Sequence, residues 1–406
     1  MSETAVVRPL KIYLVVGEES GDQLAAPLMR ALRARLDGNV VFRGVAGDRM
    51  IAEGMETLFP IDDIAVMGLS AVLGRLPTIV RRVYQTVDDV IATDPDVLVI
   101  IDSPDFTHNV AKRVRKRAPH IRIVDYVSPS VWAWRPGRAR KMAVYVDRLL
   151  AILPFEPAVH ERLGGPRTDY VGHSIIENAA RMRPREGERA DLASGGAPVL
   201  LVLPGSRGSE LSRLLKDFGS AVAIIARAHP DLEIVLPAVT RHKARIEAEV
   251  ASWEVPVTVV SGEEDKLSAF RRAHAALAAS GTVTLELAIA GVPMAVAYKL
   301  DWFYRRIKDL NRFLPIASVT SMVLPNIILG ENVVPEYLDD GANPQALAEA
   351  VSPLLEDGPQ RARQLDAFAR LDEHMRLDGG ESQAGAAARI VAEVAQGSGR
   401  SDAPSA

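Results

Sequence analysis

The chain has 406 residues, no cysteine and a formal net charge of −4, with 48% hydrophobic and 25% charged residues. That length predicts two or three domains with real cores, and the hydrophobic fraction excludes a disordered chain. The missing thiols exclude disulfide scaffolds, thiolate metal sites and cysteine nucleophiles, and the balanced charge provides no global basic field for nucleic acid.

Met1–Pro9 lacks the basic-then-apolar order of a secretory signal, so the expectation is a chain that starts in the cytoplasm. Short β-branched runs then alternate with helical patterns: Ile12–Val16, Val40–Phe42, Val97–Ile101, Ile121–Val127 and Leu149–Leu153. A stretch rich in Arg, Glu, Gly, Pro and Ser, Arg181–Ala197, reads as a linker. A second series follows at Val199–Leu203, Glu233–Leu236, Val257–Val260, Ala275–Ala279 and Met294–Tyr298. Repeated βαβ units predict an α/β chain of two doubly wound, Rossmann-like domains. The expected divisions are 1–190, 191–345, and 346–406 for C-terminal helices and a frayed tail. Phe313–Gly330 is uncharged and long enough to span a membrane, but its prolines, asparagine and hydroxyls argue against that.

In open parallel sheets, sites lie beyond the C-terminal strand ends. The first such turn, Gly17-Glu18-Glu19-Ser20-Gly21-Asp22, suits either a tight turn capped by Ser20 or Asp22 or the close approach of a ligand. It is not the dinucleotide fingerprint. Val97–Ile101 delivers Asp102-Ser103-Pro104-Asp105-Phe106, in which Asp102 is placed as a general base and Asp105 as a helix cap. Asp94-Pro95-Asp96 precedes its strand and reads as a turn rather than a metal clamp. His108 and His173 read as structural, and no histidine spacing offers a metal site.

After Val199–Leu203, Pro204-Gly205-Ser206-Arg207-Gly208-Ser209-Glu210 opens a helix. Ser209 is a candidate N-cap, while free amides and Arg207 favour an anion nest. After Ala275–Ala279, Ser280-Gly281-Thr282 opens another helix, with Glu286 able to accept from ribose hydroxyls or to face solvent. Two such loops in one domain favour a nucleotide diphosphate.

From Ala65 to Tyr84, Leu69, Val72, Leu73, Leu76, Val80 and Val83 share one helical face opposite Arg75, Thr78, Arg81 and Arg82. Pro77 is expected to kink or split this helix. Such a stripe is ordinarily core; the alternative is an acyl-chain or membrane-surface site. Lys112–Arg117 reads as a solvated basic face. Arg135–Lys141 and Arg305–Arg312 mix cations with Trp132, Trp134, Trp302, Phe303 and Tyr304, as a membrane interface tolerates.

Taken together, GEESGD (17–22), GVAGDRM (44–50), AVMGLSAVLGRLP (65–77), DSPDF (102–106), YVSPSVWAWRPGRARK (126–141), LPFEP (153–157), YVGH (170–173), LPGSRGSE (203–210), ASGTVTLELAIAGVPM (279–294) and LPNIILGENVVPE (324–336) resemble the lipid-A-disaccharide synthase family. The likeness runs from Lys11 to beyond Ala350, and SPSVWAWR is highly specific. The resemblance implies a GT-B-type glycosyltransferase fold with a cleft between its domains, inversion at the anomeric carbon, and neither metal nor cofactor. It implies UDP-2,3-diacylglucosamine as donor and 2,3-diacylglucosamine 1-phosphate as acceptor, giving a β-1,6-linked disaccharide phosphate and UDP. Carried onto this chain, Asp102 is the base. Glu18, Ser206, Arg207, Ser280, Gly281, Thr282, Glu286 and Asn326 line the donor, while Val66, Met67, Leu69, Val72, Leu73 and Leu76 meet acyl chains or membrane. The expected setting is the cytoplasmic face of the bacterial inner membrane, bound peripherally to its anionic surface, with no nucleic acid partner and homo-oligomerisation left open. Glu19, Asp48 and Thr107 depart from the family's common residues.

Two other classes compete. A UDP-sugar epimerase or hydrolase on the same fold needs the phosphate loops but not the 65–84 surface. A non-catalytic lipid- or nucleotide-binding module needs the strand-end acids to be dispensable.

Overall fold

The computed structural model describes residues 8–65, 69–133, 135–299 and 321–397. The chain divides into two compact units: one ends at His173 and resumes at Leu377, the other runs from Ser174 to Arg376.

The first unit holds β1 (Leu10–Val16), β2 (Val40–Val45), β3 (Val97–Ile101), β4 (Arg122–Tyr126), β5 (Arg148–Ala151) and β6 (Thr168–Tyr170). All pair in parallel, in the order β2-β1-β3-β4-β5-β6. Alternation along β1 sends Ile12, Leu14 and Val16 into one core and Tyr13 and Val15 into the other, so both faces are covered. That two-sided burial explains why β3 is apolar without a break, with all five residues fully buried. The chain order reverses between β1 and β3, and the register Val16↔Ile101 brings their C-terminal ends level.

The second unit repeats the plan. β7 (Val199–Leu203), β8 (Glu233–Ala238), β9 (Thr258–Ser261), β10 (Ala275–Ala279), β11 (Met294–Tyr298) and β12 (Glu336–Leu338) form a parallel sheet ordered β12-β11-β10-β7-β8-β9. Here the reversal falls between β7 and β10, with Leu203 opposite Ala278.

The observed division differs from the one expected at 190 and 346. The helix Pro359–Met375 belongs to the second unit because Gln364 acts as a surrogate strand. Its Oε1 accepts Met294 N at 2.8 Å, and its Nε2 donates to Met294 O at 3.0 Å. The final helix, Gln383–Ala395, instead buries Ala387, Ile390 and Val391 in the first core, against the helix Glu19–Arg35. The polar stretch read as a linker is fastened to the second unit: the Arg189 guanidinium donates to the carbonyls of Phe270, Arg271, Ala290 and Gly291.

The helix expected over Ala65–Tyr84 runs from Leu69 to Thr93 and continues through Pro77. Proline removes one intrahelical bond, a cost that a 25-residue helix with a buried face absorbs. Val83, Val87 and Val90 supply that face, whereas Leu76, Val80 and Tyr84 are 48%, 45% and 50% exposed.

Candidate functional site

Each unit presents its sequence-predicted loops at its own switch point, where the crevice between oppositely running connections opens.

In the first unit the turns after β1 and β3 interlock. Ser20 Oγ donates to Asp102 Oδ2 at 2.5 Å, and Ser103 N donates to Oδ1 at 2.7 Å. Ser103 Oγ reaches Glu18 Oε1 at 3.5 Å. A Cβ on Gly17 would run into Ser103 Oγ, so glycine is required there for the loops to close on each other. Asp102 and Ser103 both adopt left-handed backbone, with φ of 55° and 45°. Consecutive non-glycine residues in that region cost energy, and such strain concentrates where a side chain must be aimed. Val127, beyond β4, adds a third such outlier at φ 85°.

Other residues near this site are structural. Thr107, one of the departures from the family pattern, is fully buried and donates to the carbonyls of Asp102 and Ser103 at 2.7 and 3.1 Å. Asp22 does not cap its own helix: its carboxylate accepts Arg49 N at 2.9 Å and Met50 N at 3.0 Å, capping the helix Asp48–Ala52. Asp105 is no cap either; Ser103 holds that position, and Asp105 faces Arg138 at 3.5 Å. His108 is buried between Tyr145 OH at 2.8 Å and Asp125 at 3.2 Å. Asp96 accepts Lys11 N and pairs with Arg8 at the N-terminal sheet end, as a turn residue does.

The tryptophan-bearing segment after β4 rests on a buried polar cluster. The Trp132 ring meets Phe155 edge-on at 5.4 Å. Ser128 Oγ lies 2.8 Å from His160 Nε2 and donates to Pro129 O at 3.0 Å. Burial holds the His160 pKa down to about 4. Glu156 is 2% exposed, and burial pushes its carboxyl up to about 8 although Leu153 N donates to it at 3.1 Å.

In the second unit the turns after β7 and β10 line a pocket of about 550 Å³ together with Pro237–Thr240 at the end of β8 and Gly262, Glu263 and Lys266 after β9. Ser206, Arg207, Ser280, Gly281, Thr282 and Glu286 all lie on its wall. Ser280 Oγ donates to Met322 O at 2.8 Å. Glu286 is paired rather than solvated: Lys266 Nζ stands 2.5 Å from its Oε2.

Two expectations are corrected here. The amides of Ser206 and Arg207 are not free, because Glu210 Oε2 accepts them at 3.0 and 3.1 Å. Arg207, not Ser209, is the N-cap, and a carboxylate three residues into the helix reaches back in a capping box. Arg207 keeps 70% of its side chain exposed while standing 3.2 Å from Glu210. Asn326, expected to line the donor, is buried; its Oδ1 accepts Val333 N and Val334 N and its Nδ2 donates to Val334 O, which fixes that loop.

Val66, Met67, Trp134, Trp302, Phe303, Tyr304 and Arg305–Arg312 lie outside the described residues, as do the side chains of Leu69, Val72 and Leu73. Lys266 and the loop after β8 were missed in the sequence. Neither carries a glycine-rich signature, and only the strand-end rule could have found them. Among the described residues no group of three His, Cys, Asp or Glu is placed to hold a metal ion, and no helix is long and apolar enough to cross a membrane.

Two sheets with covered faces and loops gathered at two switch points have counterparts among solved structures. The structure of MurG from Acinetobacter baumannii aligns at a TM-score of 0.55 with 14% identity, covering 96% of this chain and 100% of that one. That of UDP-GlcNAc 2-epimerase from Neisseria meningitidis bound to UDP-GlcNAc gives the same TM-score, identity and coverage. At that identity the likeness shows the fold, a two-domain Rossmann-like GT-B architecture. The sequence narrows it. The lipid-A-disaccharide synthase of Rhodopseudomonas palustris strain HaA2 is 48% identical over 395 residues, covering 96% of this chain and 97% of that protein. That of Nitrobacter winogradskyi is 50% identical over 388 residues, with 95% of each chain covered. The family model described as lipid-A-disaccharide synthetase matches residues 12–391. The chain therefore belongs to the lipid-A-disaccharide synthase family, hexosyltransferases of lipid A biosynthesis.

Proposed function

We propose that the protein transfers 2,3-diacylglucosamine from UDP-2,3-diacylglucosamine to the 6-hydroxyl of 2,3-diacylglucosamine 1-phosphate. Asp102 takes the hydroxyl proton as O6 forms its bond to the donor anomeric carbon. The bond from that carbon to the diphosphate breaks, UDP carries away the electron pair, and the single displacement inverts the centre. The observation that carries this reading is the Asp102 carboxylate, set at the C-terminal end of β3 in left-handed backbone with one donor on each oxygen. Each oxygen keeps a second lone pair for an incoming proton.

The nucleotide is assigned to the second unit's pocket, with Glu286 meeting the ribose and Arg207 the diphosphate. A preorganised guanidinium stabilises charge that grows as the leaving group departs. The donor's diphosphate competes with Glu210 for the amides of Ser206 and Arg207.

Acylated substrates carry apolar surface that no sugar pocket covers. The exposed run Leu76, Val80 and Tyr84, four residues apart on one helix, supports docking on a lipid surface. Arg81 is exposed on the same helix and adds attraction to anionic headgroups.

The test is product mass spectrometry after incubating the protein in detergent with both proposed substrates, with and without EDTA. A disaccharide phosphate formed equally in both arms is expected. Release of UDP with no disaccharide, or an epimerised sugar, would replace this reading with hydrolase or epimerase chemistry.

A further inference from the structure

Ser20 occupies the first turn of the helix Glu19–Arg35, where a serine usually bonds to its own backbone. Glu18, not Ser20, holds the N-cap position of that helix, without a side-chain cap bond. The Ser20 hydroxyl instead crosses to the neighbouring loop and donates to Asp102 Oδ2 at 2.5 Å. With Ser103 N on Oδ1, the carboxylate is held at both oxygens, which fixes its plane as well as its position. The backbone beneath is held by Thr107 through the Asp102 and Ser103 carbonyls. Of these supports, only the Ser20 bond comes from the β1 side of the switch point.

We propose that Ser20 is the positioning residue for Asp102, orienting its carboxylate toward the acceptor hydroxyl. This rests on the reading of Asp102 as the base. A carboxylate tied only at Oδ1 turns about its Cβ–Cγ bond. Proton transfer in step with bond formation requires the acceptor oxygen to stay within hydrogen-bond reach. Ser20 is exposed, so removing its hydroxyl leaves no buried group without a partner and disturbs the fold little.

The experiment measures steady-state kinetics on the full-length Ser20→Ala, Ser20→Thr, Asp102→Asn and Ser20→Ala/Asp102→Asn proteins, using the two proposed substrates in detergent, with urea unfolding in parallel. Ser20→Ala should lower kcat about tenfold to a hundredfold, the scale of a displaced reacting group, with KM for each substrate changed less than about twofold. Ser20→Thr, which keeps the hydroxyl, should recover most of that loss. The double variant should be no slower than Asp102→Asn, because Ser20 acts only through Asp102. A Ser20→Ala enzyme with wild-type kcat beside an inactive Asp102→Asn would overturn the role of Ser20 and leave the base reading intact. An additional loss in the double variant, or a change confined to KM, would also overturn it. Wild-type turnover in Asp102→Asn would instead remove the base reading, and this proposal with it.

Discussion

Lys266 and Glu286 come from different helices, those after β9 and after β10, yet their charged atoms stand 2.5 Å apart on the pocket wall. The pair holds Glu286 in one orientation and offsets its charge in a site proposed to take a diphosphate. Replacing Lys266 by Met leaves an unpaired carboxylate there. The expected result is a donor KM raised about tenfold, the scale of one charge-assisted hydrogen bond, with kcat little changed. Titration calorimetry with UDP alone should show the same weakening; unchanged affinity would remove Lys266 from the site.

Arg207 presents an exposed guanidinium to the pocket while holding Glu210 at 3.2 Å. If it stabilises the departing diphosphate, Arg207→Ala should cost about a hundredfold in kcat, as removal of one preorganised transition-state donor does. Arg207→Lys should recover only part, since a point charge cannot reproduce the planar fork. A loss confined to donor KM would mean that Arg207 binds the ground state without assisting departure.

Asp22 and Gly47 join two sequence motifs for a structural reason. The buried Asp22 carboxylate takes Arg49 N and Met50 N, and a Cβ on Gly47 would sit 2.5 Å from its Cγ. Asp22→Ala should therefore lower unfolding free energy by about 2 kcal/mol, the upper range for a lost cap. Urea melts report this directly. A midpoint shift with unchanged m-value is the expected signature, and an unshifted midpoint would mean that the cap contributes nothing.

The pH dependence of stability follows from opposing buried groups. Glu156, at about 8 in the folded state against 4.5 unfolded, holds a proton that the unfolded chain releases. It stabilises fully below about pH 4.5 and loses that contribution as pH rises to about 8. His160 and His173, each near 4 against 6.5, act in the other direction: the unfolded chain binds their protons, so stability rises between about pH 4 and 6.5. Thermal stability should peak near pH 6.5 and decline toward pH 8. Glu156→Gln, which mimics the protonated acid, should flatten the decline; a slope identical to wild type would assign it to other groups.

Leu76, Val80 and Tyr84 leave a run of apolar surface beyond what the fold buries. Co-sedimentation with vesicles containing anionic lipid should detect binding that weakens as salt rises, through screening of nearby cations. Leu76→Ser/Val80→Ser should reduce binding several-fold while leaving the urea midpoint within about 0.5 kcal/mol of wild type. Full binding by that variant would place the membrane contact elsewhere.

Much of this was legible locally. Unbroken apolar runs such as Val97–Ile101 announced strands buried on both faces, and glycine-bearing turns after Ile12–Val16, Val199–Leu203 and Ala275–Ala279 announced strand-to-helix loops. The strand-end rule singled out Asp102 and dismissed Asp94-Pro95-Asp96. The family was readable too, because segments such as SPSVWAWR combine residue types that neither helix nor strand periodicity would select.

What the sequence by itself determined was element type and which loops follow the C-terminal strand ends, since periodicity and turn residues act over a few neighbours. Tertiary structure alone decided the partners. Strand order made β1 the neighbour of β3 and β7 the neighbour of β10. It thereby set Ser20 on Asp102, more than eighty residues away along the chain. The same long-range packing turned Asp22 into a cap for a remote helix and returned the last helix to the first core. Hydrogen bonds and burial depend on distance in space, and a reading of nearest neighbours carries no information about which distant groups the sheet will bring together.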